Sequence, residues 1–368
     1  ENVSNSRKNR ISSGLICTLE ELFTRYLDIS GIPQRSYFEQ LSFYTTDEDE
    51  TEKLRELASA EGVDLYQQYC TKEKRGYIEI LSEFKSCNVP LDVLIDLIPP
   101  LLPRHYSIAS SGIQNSQQLD LCIALVEYTT PFKRKRYGLS SHYLSQKNEG
   151  DQIICCLRKG TYVTPNLLDP LLLIGPGTGI APMRAFIQER YPQFIKIQQD
   201  NLSLDNDNTS NNNNNKVEES TNQQEQEQEN MMNELDHFPI TGPTLLFYGC
   251  RSENDDFLYK HQFQSISDIA IEKNLPIQIH VSFSRIGTNS GRYVTHELRE
   301  YGENVWNIIK ETNSRVYVSG SASTKMPADV KRCLIEIIVS YGNMSKIDAE
   351  KYLSRMEREK RYCVEAWS

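Results

Sequence analysis

The sequence predicts an α/β multidomain chain: a helical block, a short and partial antiparallel β-rich stretch, then a doubly wound parallel sheet. Three observations predict it. From 15 to 100, apolar residues recur at spacings of three and four. From 101 to 164, short β-rich runs are separated by turns. From 170 onward, strand-like and helix-like runs alternate, the pattern of a parallel sheet wrapped by helices. With 368 residues, 38% of them hydrophobic, the chain is long enough for two domains with their own cores.

Taken in order, residues 1–14 are expected to be a flexible segment. The helical block, 15–100, is carried by "TLEELFTRYLDI", "SYFEQLSFY", "DETEKLRELA", "EGVDLYQQYC" and "PLDVLIDLI". The β-rich part, 101–168, is carried by "RHYSIASS", "LDLCIALVEY" and "IICCLRKGTYV". In 169–368, strands "PLLLIG", "LLFYGC", "IQIHVSFSR" and "RVYVSG" alternate with helices expected at 181–190, 257–274, 295–311 and 325–341. The Asn/Gln/Glu-rich tract 198–236 interrupts this last part; it is too polar to offset its ordering entropy and reads as a disordered insertion whose removal leaves the fold intact.

The net charge of −10 is mostly local, because that tract holds ten acidic residues against one lysine. No apolar run approaches the roughly 18 residues that span a bilayer, and "ENVSNSRKNR" has no signal-peptide core. Nine scattered cysteines without a C-x-x-C pair argue for reduced thiols, against a disulfide framework or a zinc site. The expectation is a soluble, cytoplasmic protein with neither membrane nor nucleic acid as a partner. A start at Glu1 points to a piece of something longer.

The strongest local signal is "LLLIGPGTGIAPMRAFIQER". An apolar strand enters Gly175, Gly177 and Gly179, then a helix with Pro182 in its first turn. Glycines let a bound group approach the backbone, and a helix start offers N–H donors, a combination suited to a pyrophosphate. The Lys and Ser/Thr of a P-loop are missing and the spacing is not G-x-G-x-x-G, so ATP binding through a Walker motif is unsupported. A glycine-rich strand-to-helix turn with no ligand is the alternative. Farther on, "SFSRIGTNSGRYVTHEL" sets Ser284, Arg285, Arg292 and Tyr293 at the carboxyl end of a strand. Arginine forks suit phosphate oxygens, and one additional phosphate distinguishes NADP from NAD; two surface arginines in a loop are the plainer reading.

"LLPRHYSIASS" puts a basic residue, an aromatic ring and hydroxyls into one extended segment, either a ligand-facing surface or a polar strand edge. "YCVEAWS" places Trp367 beside the terminus, where a frayed tail calls for something flat to cover or a core to anchor in. Glu365 stands two residues before it, either a proton or hydrogen-bond partner of the same ligand or a solvated carboxylate.

In this order the motifs resemble the ferredoxin–NADP reductase-like part of the diflavin reductases, the family that includes NADPH–cytochrome P450 reductase. "RHYSIASS" is similar to the family's R-x-Y-S flavin motif, "YGLSSHYL" to its second flavin motif, "GPGTGIAPMRAFIQER" to its NADPH pyrophosphate turn, and "YVSGSASTKMPADV" to its later nucleotide strand and turn. The resemblance makes 101–168 a partial antiparallel flavin-binding β-barrel and 169–368 an NADP-binding domain. "RYLDISGIPQRSYFEQLS", "KMPADVKRCL" and the C-terminal "AEKYLSRMEREKRYCVEAWS" look closest to the branch serving cytosolic iron–sulfur protein assembly. The P450 reductase and methionine synthase reductase branches are its rivals.

The resemblance implies NADPH passing hydride to FAD, and electrons then moving through FMN to an anamorsin-like iron–sulfur scaffold protein. It implies that Arg104 meets the FAD pyrophosphate, with His105 alongside, that Tyr106 stacks on the flavin, and that Ser107 lies near its N5. Gly138, Leu139, Ser140 and Ser141 are implied at the FAD phosphates and Thr178 at the NADPH pyrophosphate. Ser284, Arg285, Gly291, Arg292, Tyr293, Val294 and Thr295 are implied around the 2′-phosphate end, and Asp329 at the nucleotide-side turn. Trp367 is implied to cover the flavin and move aside for nicotinamide, with Ser107 and Glu365 tuning the hydride site. Another flavin-contacting Arg is expected near "KEKRGY", where Lys74 and Arg75 compete. Two departures stand out: Ser319 where P450 reductase has Cys, and Glu365 where it has Asp. The family's FMN module and opening barrel strands precede the helical block, and nothing before residue 15 supplies them. A C-terminal fragment with an unfinished barrel is therefore expected, and a catalytically incompetent binding module is the competing reading.

Overall fold

The computed structural model describes residues 16–113, 116–191, 240–286, 289–322 and 325–367, apart from the side chains of Ile286, Asn289 and Ser290. The expected flexible opening and the tract 198–236 lie outside these residues. The chain divides into two units, Glu1–His105 with Ala124–Gln152, and Tyr106–Ile123 with Ile153–Ser368. The division runs through the expected stretch 101–168, not at its ends.

The first unit is built on the helices Arg35–Ser42, Glu48–Ala58, Tyr77–Glu83 and Leu91–Leu97. Their apolar residues form one core: Tyr37, Phe38 and Leu41 from the first, Leu54 and Leu57 from the second, Tyr77 and Ile80 from the third. Three- and four-residue spacing sets these side chains on one face of each helix. Asp47 starts the second helix by accepting from the Glu50 amide at 2.9 Å, and Glu48, Asp49 and Glu50 meet the positive end of its dipole. Tyr77–Glu83 was not foreseen, because "KEKRGYIEILSEF" opens with a charged run that hides its short apolar face. "TLEELFTRYLDI" contains a five-residue π-helical stretch, Leu22–Tyr26, and "EGVDLYQQYC" runs into another, Gln67–Thr71, instead of each forming one continuous α-helix.

Two short strands complete this unit, β1 (Glu127–Thr129) and β2 (Lys135–Tyr137), paired antiparallel. The buried Glu73 carboxylate pins their turn, accepting from Thr130 Oγ1 at 2.9 Å and Phe132 N at 3.0 Å. The strands expected from the full runs 104–111, 119–128 and 153–163 do not form at those lengths. The first two are reduced to an Ile108–Leu121 bridge and to β1, and 153–163 carries no strand. A strand needs a partner for its amides and carbonyls, and among the described residues these runs have little. Ile154 and Leu157 accordingly stand exposed.

The second unit holds a five-stranded parallel sheet of β3 (Leu171–Ile174), β4 (Thr244–Cys250), β5 (Ile277–Phe283), β8 (Arg315–Ser321) and β9 (Tyr362–Trp367), in the order β5-β4-β3-β8-β9. A two-stranded ribbon, β6 (Arg285–Ile286) with β7 (Asn289–Ser290), follows β5. Helices cover both faces, which is why the central strands β3, β4 and β8 are largely buried and mostly apolar. Leu172, Ile174, Phe247, Val316 and Val318 pack against Leu298, Val305, Leu334 and Leu353. Their neighbours Leu171, Leu173, Tyr248 and Tyr317 pack on the other face with Ile180, Met183, Ile187 and Phe263.

The helices Ile180–Arg190, Lys260–Glu272 and Met326–Gly342 lie within two or three residues of the expected bounds. The helix expected at 295–311 is two, Val294–Glu300 and Gly302–Ile309, joined at Tyr301. The C-terminal "YCVEAW" is not a frayed tail: Tyr362–Trp367 pairs with β8 along its whole length, after a further helix, Lys346–Arg358. From β3 the chain moves outward to β4 and β5, then returns to β8 on the opposite flank. The switch point is therefore between β3 and β8, and ligands of such sheets bind outside the carboxyl ends of the strands there. Among the described residues, no helix is long and apolar enough to cross a membrane.

Candidate active site

At the switch point β3 gives way to Gly175–Gly179, which turns into the helix Ile180–Arg190. Gly177 has φ +57°, a conformation that favours glycine, and the space where its Cβ would stand is open. Gly179 packs directly on the end of β8: a Cβ there would lie 2.1 Å from the Ser319 carbonyl oxygen. The turn thus brings main chain and a helix start to the carboxyl edge of the sheet, with room for a ligand beside Gly177 and the adjacent Thr178.

Next to it, β8 and β9 bring together residues far apart in sequence. Ser319 lies in register with Glu365, and Ser321 with Trp367. The Ser107 hydroxyl hydrogen-bonds the Glu365 carboxylate, Oγ to Oε2 at 2.9 Å, across 258 residues of sequence. Tyr162 supplies the floor, its phenol donating to the Val318 carbonyl at 2.7 Å. Burial pushes that phenol far above its ordinary value, so Tyr162 stays protonated. The Ser319 hydroxyl is fully buried beside the Tyr162 phenol, part of the packing beneath this edge. Trp367, 37% exposed, presents its ring at the end of β9.

The carboxyl ends of β4 and β5 form the other wall. Ser284 N donates to Cys250 O, and Arg285 N to Arg251 O at 2.7 Å. Arg285 is exposed, whereas Arg251 is tied to Asp256, Nε to Oδ2 at 2.8 Å. After the ribbon, Gly291 leads into Arg292, whose amide donates to Phe283 O at 2.8 Å. The Arg292 guanidinium pairs with Glu297 at 2.8 Å and with Glu300. The Glu300 hydrogen bond, with the Glu297 charge beside it, raises Arg292 above its ordinary value. Tyr293 is exposed and its amide donates to His296 Nδ1 at 3.1 Å. Val294 is buried in the core, and Thr295 accepts at its carbonyl from Arg299 and Cys333, so these two serve the helix. Asp329, in the first turn of Met326–Gly342, pairs with Arg332.

In the first unit, Arg104 is exposed, its guanidinium bonded to the Leu102 carbonyl and 4.0 Å from Asp28. His105 is exposed beside it. Arg104 and His105 belong to this unit, whereas Tyr106 and Ser107 belong to the second. Gly138 caps the helix Leu139–Ser145, its amide donating to Val126 O at 2.7 Å. Ser141 is buried; its hydroxyl accepts from Val126 N at 3.1 Å and donates to Gly138 O at 3.2 Å. That hydroxyl braces the turn instead of facing outward, while Leu139 is exposed. Of the competing pair in "KEKRGY", Arg75 is held by Glu83 under the Tyr69 ring, 4.3 Å from its centroid, and Lys74 takes φ +50°.

The family described as FAD binding domain matches residues 3–143, and that described as oxidoreductase NAD-binding domain matches residues 173–332. The chain is 36% identical to NADPH-dependent diflavin oxidoreductase 1 of Dictyostelium discoideum, over 88% of the chain and 45% of that relative. It is 34% identical to the Arabidopsis thaliana protein of the same name, over 92% and 48%. It is 31% identical to NADPH–cytochrome P450 reductase of Musca domestica, over 95% and 46%. The chain belongs to the diflavin reductase family. It spans about half the length of the curated relatives it matches.

For a diflavin reductase chain, the cofactors are FAD and NADPH, and the second unit fits both. The open side of Gly177 suits a pyrophosphate, and the part-buried Ser107–Glu365 pair suits polar atoms at the edge of a bound ring. Arg251 and Tyr162 were missed by sequence reasoning. "GCRS" directly after a strand was the available signal for Arg251, and nothing local to "GTYVTP" marks Tyr162.

Proposed function

We propose that the chain is the NADPH-oxidising half of a flavoprotein oxidoreductase whose electrons leave through FMN to an iron–sulfur scaffold protein in the cytoplasm. The observation that carries the reading is the Ser107–Glu365 hydrogen bond beside buried Ser319 at the switch point. Bound FAD and NADPH supply the hydride chemistry itself; the protein supplies position and electrostatics. The glycine turn and Thr178 hold the dinucleotide pyrophosphate, while Ser284, Arg285, Arg292 and Tyr293 meet the 2′-phosphate. The Ser107 hydroxyl donates to the Glu365 carboxylate, which leaves the serine oxygen and the second carboxylate oxygen able to accept hydrogen bonds at the reacting edge. Trp367 covers that edge and is exposed enough to be displaced.

The test is the FAD-loaded chain reducing ferricyanide with NADPH; a flavin-loaded sample without NADPH-dependent activity sinks the reading. A colourless chain that takes up no FAD would support a binding module. For the acceptor, the chain joined to an FMN module should reduce a [2Fe–2S] scaffold protein faster than a microsomal P450, and the opposite preference favours the P450 reductase branch.

A further inference from the structure

One buried cation in the second unit has no part in the reading above. Arg184 lies in the helix that leaves the glycine turn, is only 5% exposed, and is held on four sides. Its Nε donates to Gln262 Oε1 at 2.7 Å, and its Nη1 to Ala109 O at 2.6 Å and Asp120 Oδ2 at 3.0 Å. Its guanidinium carbon sits 4.5 Å from the Tyr259 ring centroid. Tyr259 takes φ +57°, unusual for a bulky residue, under that cation. One helical turn on, Gln188 accepts from Ser111 N at 3.1 Å. Ala109 N in turn donates to Asp120 O at 2.8 Å. Two side chains of one helix therefore grip the backbone of the segment 107–111 at alternate residues.

We propose that Arg184 is a positioning residue for hydride transfer. By fixing the carbonyl of Ala109, two residues from Ser107, it sets where the Ser107 hydroxyl meets Glu365. Because the same helix begins at the glycine turn, the nucleotide and Ser107 are then referenced to one rigid element. This rests on the proposed function, in which a hydride leaves nicotinamide C4 for flavin N5, NADPH being oxidised and FAD reduced. A guanidinium suits the task better than an ammonium, because its planar fork reaches Gln262, Ala109 and Asp120 together.

The test compares the full chain with R184Q and R184K in two measurements. Hydrogen–deuterium exchange without cofactor is expected to show faster exchange in 106–111 for R184Q, with the helix Ile180–Arg190 still protected. Stopped-flow reduction of bound FAD is expected to slow by about tenfold to a hundredfold at saturating NADPH in R184Q, as for a misplacement of about 1 Å. The NADPH concentration for half-maximal rate should stay within about twofold, and R184K should recover part of the loss. If R184Q does not fold, R184K carries both measurements, with smaller changes in the same direction. Unchanged exchange in 106–111, an unchanged limiting rate, or a loss confined to NADPH affinity overturns the proposal. A parent chain that binds FAD but is not reduced by NADPH overturns the functional reading and this proposal with it.

Discussion

Replacing Gly179 with Ala puts a methyl group where the main chain of β8 already lies. The new Cβ would stand 2.1 Å from the Ser319 carbonyl oxygen and 2.7 Å from its carbon. Helix and strand would have to part by about 1 Å before the contact became tolerable. Gly179 sits at φ −62° and ψ −13°, so alanine brings no backbone strain and the penalty is steric. Overpacking costs about 1–3 kcal/mol, and an overlap with main chain belongs at the upper end because no rotamer relieves it. At about 2–4 °C per kcal/mol for a domain of this size, G179A is expected to lower Tm by about 6–12 °C. Gly177 is the internal contrast. Its positive φ costs an alanine about 1 kcal/mol, but no atom lies within 4 Å of the new Cβ, so G177A should lose about 2–4 °C. Thermal melts followed by circular dichroism separate the two variants. A G179A melt within about 2 °C of the parent, or a larger loss in G177A, would refute the close approach of turn and strand.

The remaining predictions address chemistry, burial and pH. Trp367→Ala should relax the preference for NADPH over NADH, and an unchanged ratio of the two kcat/KM values argues against the covering role. Arg190 is buried and donates to Gly242 O, Thr244 Oγ1, Asn166 O and Asp169 O. Arg190→Gln leaves at least two of these buried acceptors unpaired, at about 1–3 kcal/mol each, and should destabilise by about 2–6 kcal/mol, read from urea melts. Burial holds His280 below the ordinary imidazole value of 6.5, stacked between Phe247 and Tyr301. The unfolded chain then binds the proton more readily than the folded one, so stability is present above about pH 6.5 and is lost as pH falls below it. The Tm difference between parent and His280→Phe should therefore shift against the parent between pH 7.5 and 5; a constant difference excludes His280 as the cause.

The parallel sheet was legible because its central strands are buried on both faces. "LLLI" and "VYV" are apolar without interruption, and the first runs straight into the glycine turn. The strand Tyr362–Trp367 was not legible as such: it is an edge strand of mixed polarity, and only its pairing with β8 makes it one. For the same reason the β-rich runs were overread, since alternation states a willingness to pair and the partner decides. Ser107, Glu365 and Trp367 could be named from motifs, but the 2.9 Å bond between the first two depends on the fold of the whole second unit. Arg184 reads in sequence as one more arginine on a helix, and its burial comes from the segment that packs over it. Ser141 shows the converse, a motif hydroxyl committed to its own turn.

The strand β9 carries a consequence for how this chain can vary in length. Glu365 and Trp367 are two residues apart and so share one side of the sheet, with Cys363. The reversal ahead of them is tight: Lys360 takes φ +55° and Arg361 N returns to Met356 O at 2.8 Å. Inserting or removing one residue there would exchange the two faces, presenting Val364 and Ala366 where Glu365 and Trp367 now stand. A two-residue change would keep the faces but carry both side chains about 6.6 Å along the strand. The spacing between the helix Lys346–Arg358 and Glu365 is therefore under the same chemical constraint as the carboxylate and the indole it delivers, an odd–even rule written into connector length.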